Sequence, residues 1–209
     1  MYTLYGSQGS GSAAVEAALE RTGVPFRLVR ASSWEPDSAI GELERINPLK
    51  QIPTLRLPDG TVLTESAAIL IHLGLEFPES QLLPAASTAR AHAIRGLVYI
   101  AANCYSAVSV IDFPERWTSA DDDAAKDRVR RAARERLHLH WNVFADQFAA
   151  RPFLGGEVPG GLDLLAAVVS KWSGTRPHLR KHRPDFFAAL ERIERHPWVA
   201  PVFARHWPG

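Results

Sequence analysis

Asn47-Pro48-Leu49-Lys50-Gln51-Ile52-Pro53-Thr54-Leu55, followed by Leu63-Thr64-Glu65-Ser66-Ala67-Ala68-Ile69, is the stretch on which the fold turns. Pro53 stands at the head of a short apolar strand, Thr54 to Leu57, where it has no N–H to give to a ladder. The polar groups of the residue before it are left for other partners. A cis Ile52–Pro53 bond, a form reachable almost only before proline, would turn the Ile52 N–H and C=O outward. Ser66 then opens an apolar run (Ala67, Ala68, Ile69, Leu70) that reads as helix. The unpaired N–H groups and positive dipole end of such a helix favour a carboxylate. A turned-out main chain beside a helix start suits a site that grips a small peptide by its backbone and by an anionic group.

Working outward, the first third of the chain alternates. Tyr2 to Tyr5 reads as a strand, Ser12 to Arg21 as an alanine-rich helix ended by Gly23, and Phe26 to Val29 as a second strand. A helix over Asp37 to Ile46 stops before Asn47-Pro48, because the residue ahead of a proline resists the helical region. Thr54 to Leu57 and Thr61 to Leu63 flank Pro58-Asp59-Gly60, a hairpin turn signal, and a helix from Ser66 to Glu76 closes the unit. The order β-α-β-α-β-β-α predicts an α/β domain over residues 1–78 with a mixed sheet. Residues 79–87, bearing Ser80, Pro84 and Ser87, read as a linker. Residues 88–209 read as all-helical: Ala89 to Ile111, Asp122 to Ala150, a nearly all-apolar Leu162 to Trp172, Pro184 to Glu194, and Trp198 to Ala204.

Composition narrows the function classes. In 209 residues, 24 basic and 23 acidic side chains leave a formal charge of +1. Without a concentrated basic face the chain is a poor candidate for nucleic acid or an anionic membrane surface. A single cysteine, Cys104, excludes an intrachain disulfide framework and a cysteine-rich zinc site, and no metal is expected. His138 and His140 lie about 200° apart on a helix, a poor chelating pair. Residues 1–5 lack a secretory signal's basic start, and no apolar run approaches the roughly 20 residues that cross a bilayer. The expectation is a soluble, cytoplasmic protein.

Three segments together resemble the glutathione S-transferase superfamily, in its bacterial serine- or cysteine-type, beta- or theta-like form. Asn47-Pro-x-x-Gln-Ile-Pro-x-Leu is similar to the family's glutathione-backbone loop, and Thr64-Glu65-Ser66-x-Ala-Ile to its γ-glutamyl-binding turn. Phe153-Leu-Gly-Gly-Glu157 with Leu162-Asp163 is similar to its helical-domain folding motif. The resemblance covers essentially the whole chain and implies a thioredoxin-like first domain. It implies that the Ile52 main chain, fixed by Pro53, pairs with the cysteinyl backbone of glutathione. Gln51 would reach the tripeptide, and Glu65 and Ser66 would hold its γ-glutamyl end. Lys50 stands where many members carry glycine, and Gly160 where most carry a capping Ser or Thr. A homodimer is the family's usual assembly.

Glutathione reacts as its thiolate, so a protein that uses it must lower a thiol pKa of about 8.5, each unit being worth about 1.4 kcal/mol. The family places the responsible hydroxyl in the loop after the first strand, here Tyr5-Gly6-Ser7-Gln8-Gly9-Ser10-Gly11-Ser12-Ala13. Ser10 falls where beta-type members carry a cysteine, and Gly9 where delta-type members carry their serine. Ser10 is the first candidate and Ser12, on the helix cap, the second; Ser7 and Tyr5 remain open. Tyr99, Asn103, Tyr105 and Trp117 are candidates for the wall of an electrophile pocket. Conjugation of a small electrophile is the leading reading. Glutathione-dependent disulfide or peroxide reduction, and a non-catalytic ligand-binding or regulatory role, are the alternatives.

Overall fold

The computed structural model describes residues 1–35 and 37–208; residue 209, the end of the expected second domain, lies outside the described residues. Strands β1 (Tyr2–Gly6), β2 (Phe26–Arg30), β3 (Thr54–Arg56) and β4 (Val62–Leu63) form one sheet in the order β2-β1-β3-β4. β1 pairs in parallel with β2 and antiparallel with β3, and β3 pairs antiparallel with β4. All five β1 residues are buried, as a central strand covered on both faces requires. Their alternation divides the packing. Leu4 joins the main core with α1 (Ser12–Thr22) and α3 (Ser66–Glu76), whereas Tyr5 joins Ala31 and Leu43 beneath α2 (Ile40–Ile46). The Tyr5 hydroxyl donates to Glu42 Oε1 at 2.6 Å on that far face, which removes it from the candidate donors.

The remaining chain is helical: α4 (Ser87–Tyr99), α5 (Ser106–Asp112), α6 (Asp123–Gln147), α7 (Gly161–Val169), α8 (Thr175–His182), α9 (Pro184–Glu194) and α10 (Ala200–His206). A thioredoxin-like unit followed by a helical unit is the architecture expected. The differences have local causes. α2 starts at Ile40 rather than Asp37 because the Ser38 hydroxyl donates to Ser32 O at 2.8 Å and accepts from Ser32 N at 3.1 Å, holding the chain in a loop. α7 stops at Val169, short of the expected Trp172, where the Arg176 guanidinium takes the Ala167 carbonyl at 2.9 Å. α8 escaped the periodicity reading because Pro177 interrupts it. In the first turn of a helix that proline costs no internal hydrogen bond.

One expectation is corrected outright. α4 runs through a π-helical turn, Ile100–Tyr105, into α5, giving a 26-residue rod, Ser87–Asp112, that is long and apolar enough to cross a bilayer. Its helical continuity matches the expected Ala89 to Ile111, but Arg90, Arg95 and Asn103 interrupt the apolar run in the sequence. The rod packs on α6 and α7, with about a third of its apolar window buried.

α6 and α8 meet across three histidines. The His138 and His178 rings stack at 4.2 Å, His182 lies 4.5 Å beyond, and His178 Nε2 is 3.0 Å from Asn142 Oδ1. Burial first, then the neighbouring His138, His182, Arg183 and Lys181, push the His178 pKa from 6.5 down to about 4. Below its ordinary pKa the unfolded chain binds a proton that the folded chain refuses. This contribution to stability is therefore complete above about pH 6.5 and is lost as the pH falls toward about 4. Thermal melts across that window should fall less steeply for His178→Gln than for the natural sequence; parallel slopes would refute the assignment.

Candidate functional site

A cleft of about 790 Å³ opens between the sheet unit and the α4–α5 rod. Its walls are three segments of the first unit, Gly9–Gly11, Leu49–Pro53 and Thr64–Ala67, facing Ala101, Tyr105 and Val108 from the rod and Phe113 just beyond it.

The second segment is held from within. Buried Asn47 donates through Nδ2 to Gln51 O (3.1 Å) and to Thr54 Oγ1 (3.0 Å), and accepts from Leu49 N at 3.2 Å. Lys50 adopts φ 53°, in the left-handed region that favours glycine, and its ammonium pairs with Glu44 at 2.7 Å. The backbone shape expected of a glycine is thus kept by a lysine. The Ile52–Pro53 bond is cis. The Ile52 side chain packs on the Tyr5, Ala31 and Leu43 cluster while the residue lines the cleft. Among the described residues its main-chain N–H and C=O have no intramolecular hydrogen-bond partner. Gln51 is exposed beside it, and Pro53 is buried.

Across the cleft, Glu65 also sits at positive φ (66°) and turns the chain into α3. Ser66 is only 6 % exposed, and its Oγ is buried without a hydrogen-bond partner. Such an orphan hydroxyl is uncommon, and here it borders a cavity at a helix start.

The first-strand loop contains a closed serine network. Ser10 Oγ lies 2.7 Å from Ser7 O and 2.8 Å from Ser12 Oγ, and Ser12 Oγ lies 3.1 Å from Ser7 O. The Ser7 and Ser12 amides donate in turn to Ser12 Oγ and Ser10 Oγ, both at 3.2 Å. Two hydroxyl protons serve this triangle. Ser7 O can accept from either hydroxyl, and either can donate across the 2.8 Å Ser10–Ser12 contact. In one arrangement Ser10 donates to Ser7 O; in the second, Ser12 donates to Ser10 Oγ, and the Ser10 proton can leave Ser7 O and turn to the cleft. The second arrangement is the one that serves an anionic sulfur, and it needs no atom to move beyond hydroxyl rotation.

Ser10 and Ser12 therefore differ in kind. Ser10 lines the cleft, whereas Ser12 is fully buried beneath it, and its N–H is spent on Ser10 Oγ. Ser12, expected as a second candidate donor, is hydrogen-bonded to Ser10 and does not line the cleft. Ser7 is buried too and supplies the acceptor carbonyl.

The expected electrophile wall is corrected in three of four positions. Tyr99 packs on Phe144 and Phe148 and donates to His140 O at 3.2 Å. Asn103 donates to Tyr99 O at 3.1 Å within its own rod. Trp117 is 60 % exposed on the turn after α5. These three do not line the cleft; Tyr105 does. The four candidates rest on residue type and resemblance, which do not say which face of the rod meets the cleft. Trp34, Phe113, Arg116, Leu165 and Trp172 line the cleft unforeseen. No local motif marks them, since they converge from four separate segments. Among the described residues no group of three or more His, Cys, Asp or Glu is arranged to hold a metal. Cys104 is buried, and burial pushes its thiol pKa up, away from reactivity.

Comparison with known proteins agrees with this geometry. The family described as "Glutathione S-transferase, N-terminal domain" matches residues 12–76. The uncharacterized GST-like protein YncG of Escherichia coli (strain K12) is 28% identical over 208 residues, covering 99% of this chain and 98% of that protein. A glutathione transferase homologue from Sulfitobacter, solved with bound glutathione, superposes with a TM-score of 0.82 at 25% identity over 97% of this chain and 96% of that one. BphK, a bacterial glutathione transferase solved as a ternary complex, gives 0.79 at 27% identity over 96% of this chain and 97% of that one. The relatives and structural neighbours of this chain are thus glutathione S-transferases and GST-like proteins.

Proposed function

We propose that the cleft binds glutathione and that the protein is a transferase joining the glutathione thiolate to small electrophiles. One observation carries the reading: the buried, unpartnered Ser66 hydroxyl at the start of α3, across the cleft from the unengaged Ile52 main chain. A carboxylate at that helix start would meet N–H groups, a hydroxyl and the positive dipole end, with Glu65 beside it for an ammonium. An extended peptide backbone would take the Ile52 N–H and C=O, and Gln51 would reach its far end. Glutathione bound to the Sulfitobacter homologue supports the ligand. An apolar outer cleft with Trp34, Phe113 and Trp172 suits planar or apolar electrophiles.

The proposal extends to a cytoplasmic homodimer divided at residues 1–78 and 88–209 by a linker at 79–87. A non-catalytic binding role is the second reading, favoured by the short Ser10–Ser7 bond, which can hold the Ser10 proton within the loop. Calorimetry with glutathione and turnover of an activated aryl halide separate the two. Transfer chemistry predicts binding at millimolar concentration or tighter. Ser10→Ala is expected to cut kcat/KM at least about tenfold at neutral pH, the equivalent of one unit of thiol pKa. Undiminished turnover in that variant would remove Ser10 from the chemistry, and no heat of binding would end the whole reading.

A further inference from the structure

We propose that Tyr105, carried across from the helical unit, donates a hydrogen bond from its phenol to the glutathione sulfur and shares the stabilisation of the thiolate with Ser10. The inference rests on the glutathione reading of the cleft and adds a catalytic residue to it.

Four observations converge. The π-helical turn Ile100–Tyr105 ends on this residue, and its loosened carbonyls are taken up locally, Tyr99 O by Asn103 Nδ2 at 3.1 Å and Ala102 O by Ser106 Oγ at 2.6 Å. Such single-turn insertions re-aim side chains and are frequent at functional sites. The Trp172 ring then backs the Tyr105 ring at 5.5 Å and 38°, which limits its swing.

Gly11 marks where the phenol points. At φ −60° and ψ −17° its backbone is one that any residue adopts, so conformation does not require glycine there. Space does. A Cβ on Gly11 would overlap the Tyr105 hydroxyl and sit 3.2 Å from Cζ and 3.3 Å from Cε1. The phenol therefore lies against the residue that precedes α1 and follows Ser10, where the thiol of a bound tripeptide would sit. Among the described residues its hydroxyl has no hydrogen-bond partner. An unpaired donor facing the cleft, beside a serine that also has Ser7 O and Ser12 Oγ within hydrogen-bond reach, is a group well placed to meet an incoming sulfur.

The protonation state agrees. Burial, then the Glu65 and Asp112 carboxylates, push the Tyr105 pKa up to about 12, so the phenol keeps its proton and acts as a donor. It lowers the thiol pKa by favouring the anion and transfers no proton in doing so.

The test is the ultraviolet thiolate absorbance of the glutathione complex against pH, measured for the natural protein, Tyr105→Phe and Gly11→Ala, with glutathione affinity from calorimetry. Tyr105→Phe is expected to raise the absorbance midpoint by about one pH unit and lower kcat/KM about tenfold at neutral pH, with affinity changed less than about twofold. Gly11→Ala keeps the phenol but pushes it away, and should raise the midpoint in the same direction; it also serves should Tyr105→Phe fold poorly. Glutathione bound by all three proteins with one common midpoint overturns the role of Tyr105 and leaves the binding reading standing. Absence of binding by the natural protein overturns both.

Discussion

Asp163→Ala is expected to lower the unfolding free energy by about 4 kcal/mol and the melting temperature by about 10 °C. The Asp163 carboxylate is wholly buried and accepts three backbone N–H groups: Leu154 through Oδ1 at 2.8 Å, and Gly155 and Gly160 through Oδ2 at 2.8 and 2.9 Å. Burial pushes its pKa up to about 6 against the pull of those donors, so it is ionised at neutral pH. Removing it strands three buried donors at about 1 to 3 kcal/mol each, less whatever the loop regains by relaxing. Gly160 supplies no capping oxygen of its own, so nothing local replaces the carboxylate. Its glycine has a separate cause: a Cβ there would stand 2.9 Å from the Leu82 carbonyl, which is also bonded by Gly161 N at 2.7 Å. Restoring a serine at 160 should therefore destabilise the protein, although serine is the better N-cap in open surroundings. Chemical denaturation of both variants decides the matter. A loss under about 1 kcal/mol for Asp163→Ala would mean that water or the loop satisfies those donors.

Glu16→Ala should cost about 3 kcal/mol and loosen the serine loop before it loosens the core. Glu16 is buried on α1. Its Oε1 takes Arg205 at 3.1 and 2.8 Å, and its Oε2 lies 2.8 Å from His206 Nε2. The other imidazole nitrogen, Nδ1, accepts the Gly9 amide at 3.2 Å, so Nε2 carries the proton toward Glu16. Gln8 adds a bond to Arg205 O at 2.9 Å. The last helix thus clamps the loop that presents Ser10, with Glu16 fixing the ring. Burial pushes the Glu16 pKa up, but the hydrogen bonds from His206 and Arg205 outweigh it and leave the carboxyl below its usual range. The stabilisation is accordingly present above the ordinary Glu pKa and is lost as the pH falls through the lowered one. Hydrogen exchange is the readout. The Gly9 amide should exchange about a hundredfold faster in Glu16→Ala, with the β1 amides slowed or quickened far less. Glu16→Gln, which keeps the shape and one acceptor, should fall between. Equal acceleration across the whole chain would mean that Glu16 is a stability residue without a special tie to the loop.

The two units differ in how legible they were. Strand alternation, the Pro58-Asp59-Gly60 turn and the prolines at 48 and 53 are local signals, and each was matched by the element it predicted to within a residue or two. Ile52, Glu65 and Ser66 were readable for the same reason, because a strand start and a helix start are defined by their immediate neighbours. The pocket wall was not readable. Tyr99 and Tyr105 are six apart on one rod, and one packs in an aromatic cluster while the other lines the cleft, a difference set by which distant helices lie against each face.

By itself the sequence determined the order of elements, the mixed sheet and the shape of the loop that enters β3, since short-range sterics and hydrogen-bond supply govern those. Tertiary structure alone decided which hydroxyl faces the cleft, because Ser10 and Ser12 are separated by one residue and by the presence or absence of a covering layer. It also decided that Tyr105 stands over Gly11 and that His206 holds Gly9, contacts between residues far apart in the chain. Packing of distant helices sets such distances, and no pattern confined to neighbouring residues encodes them.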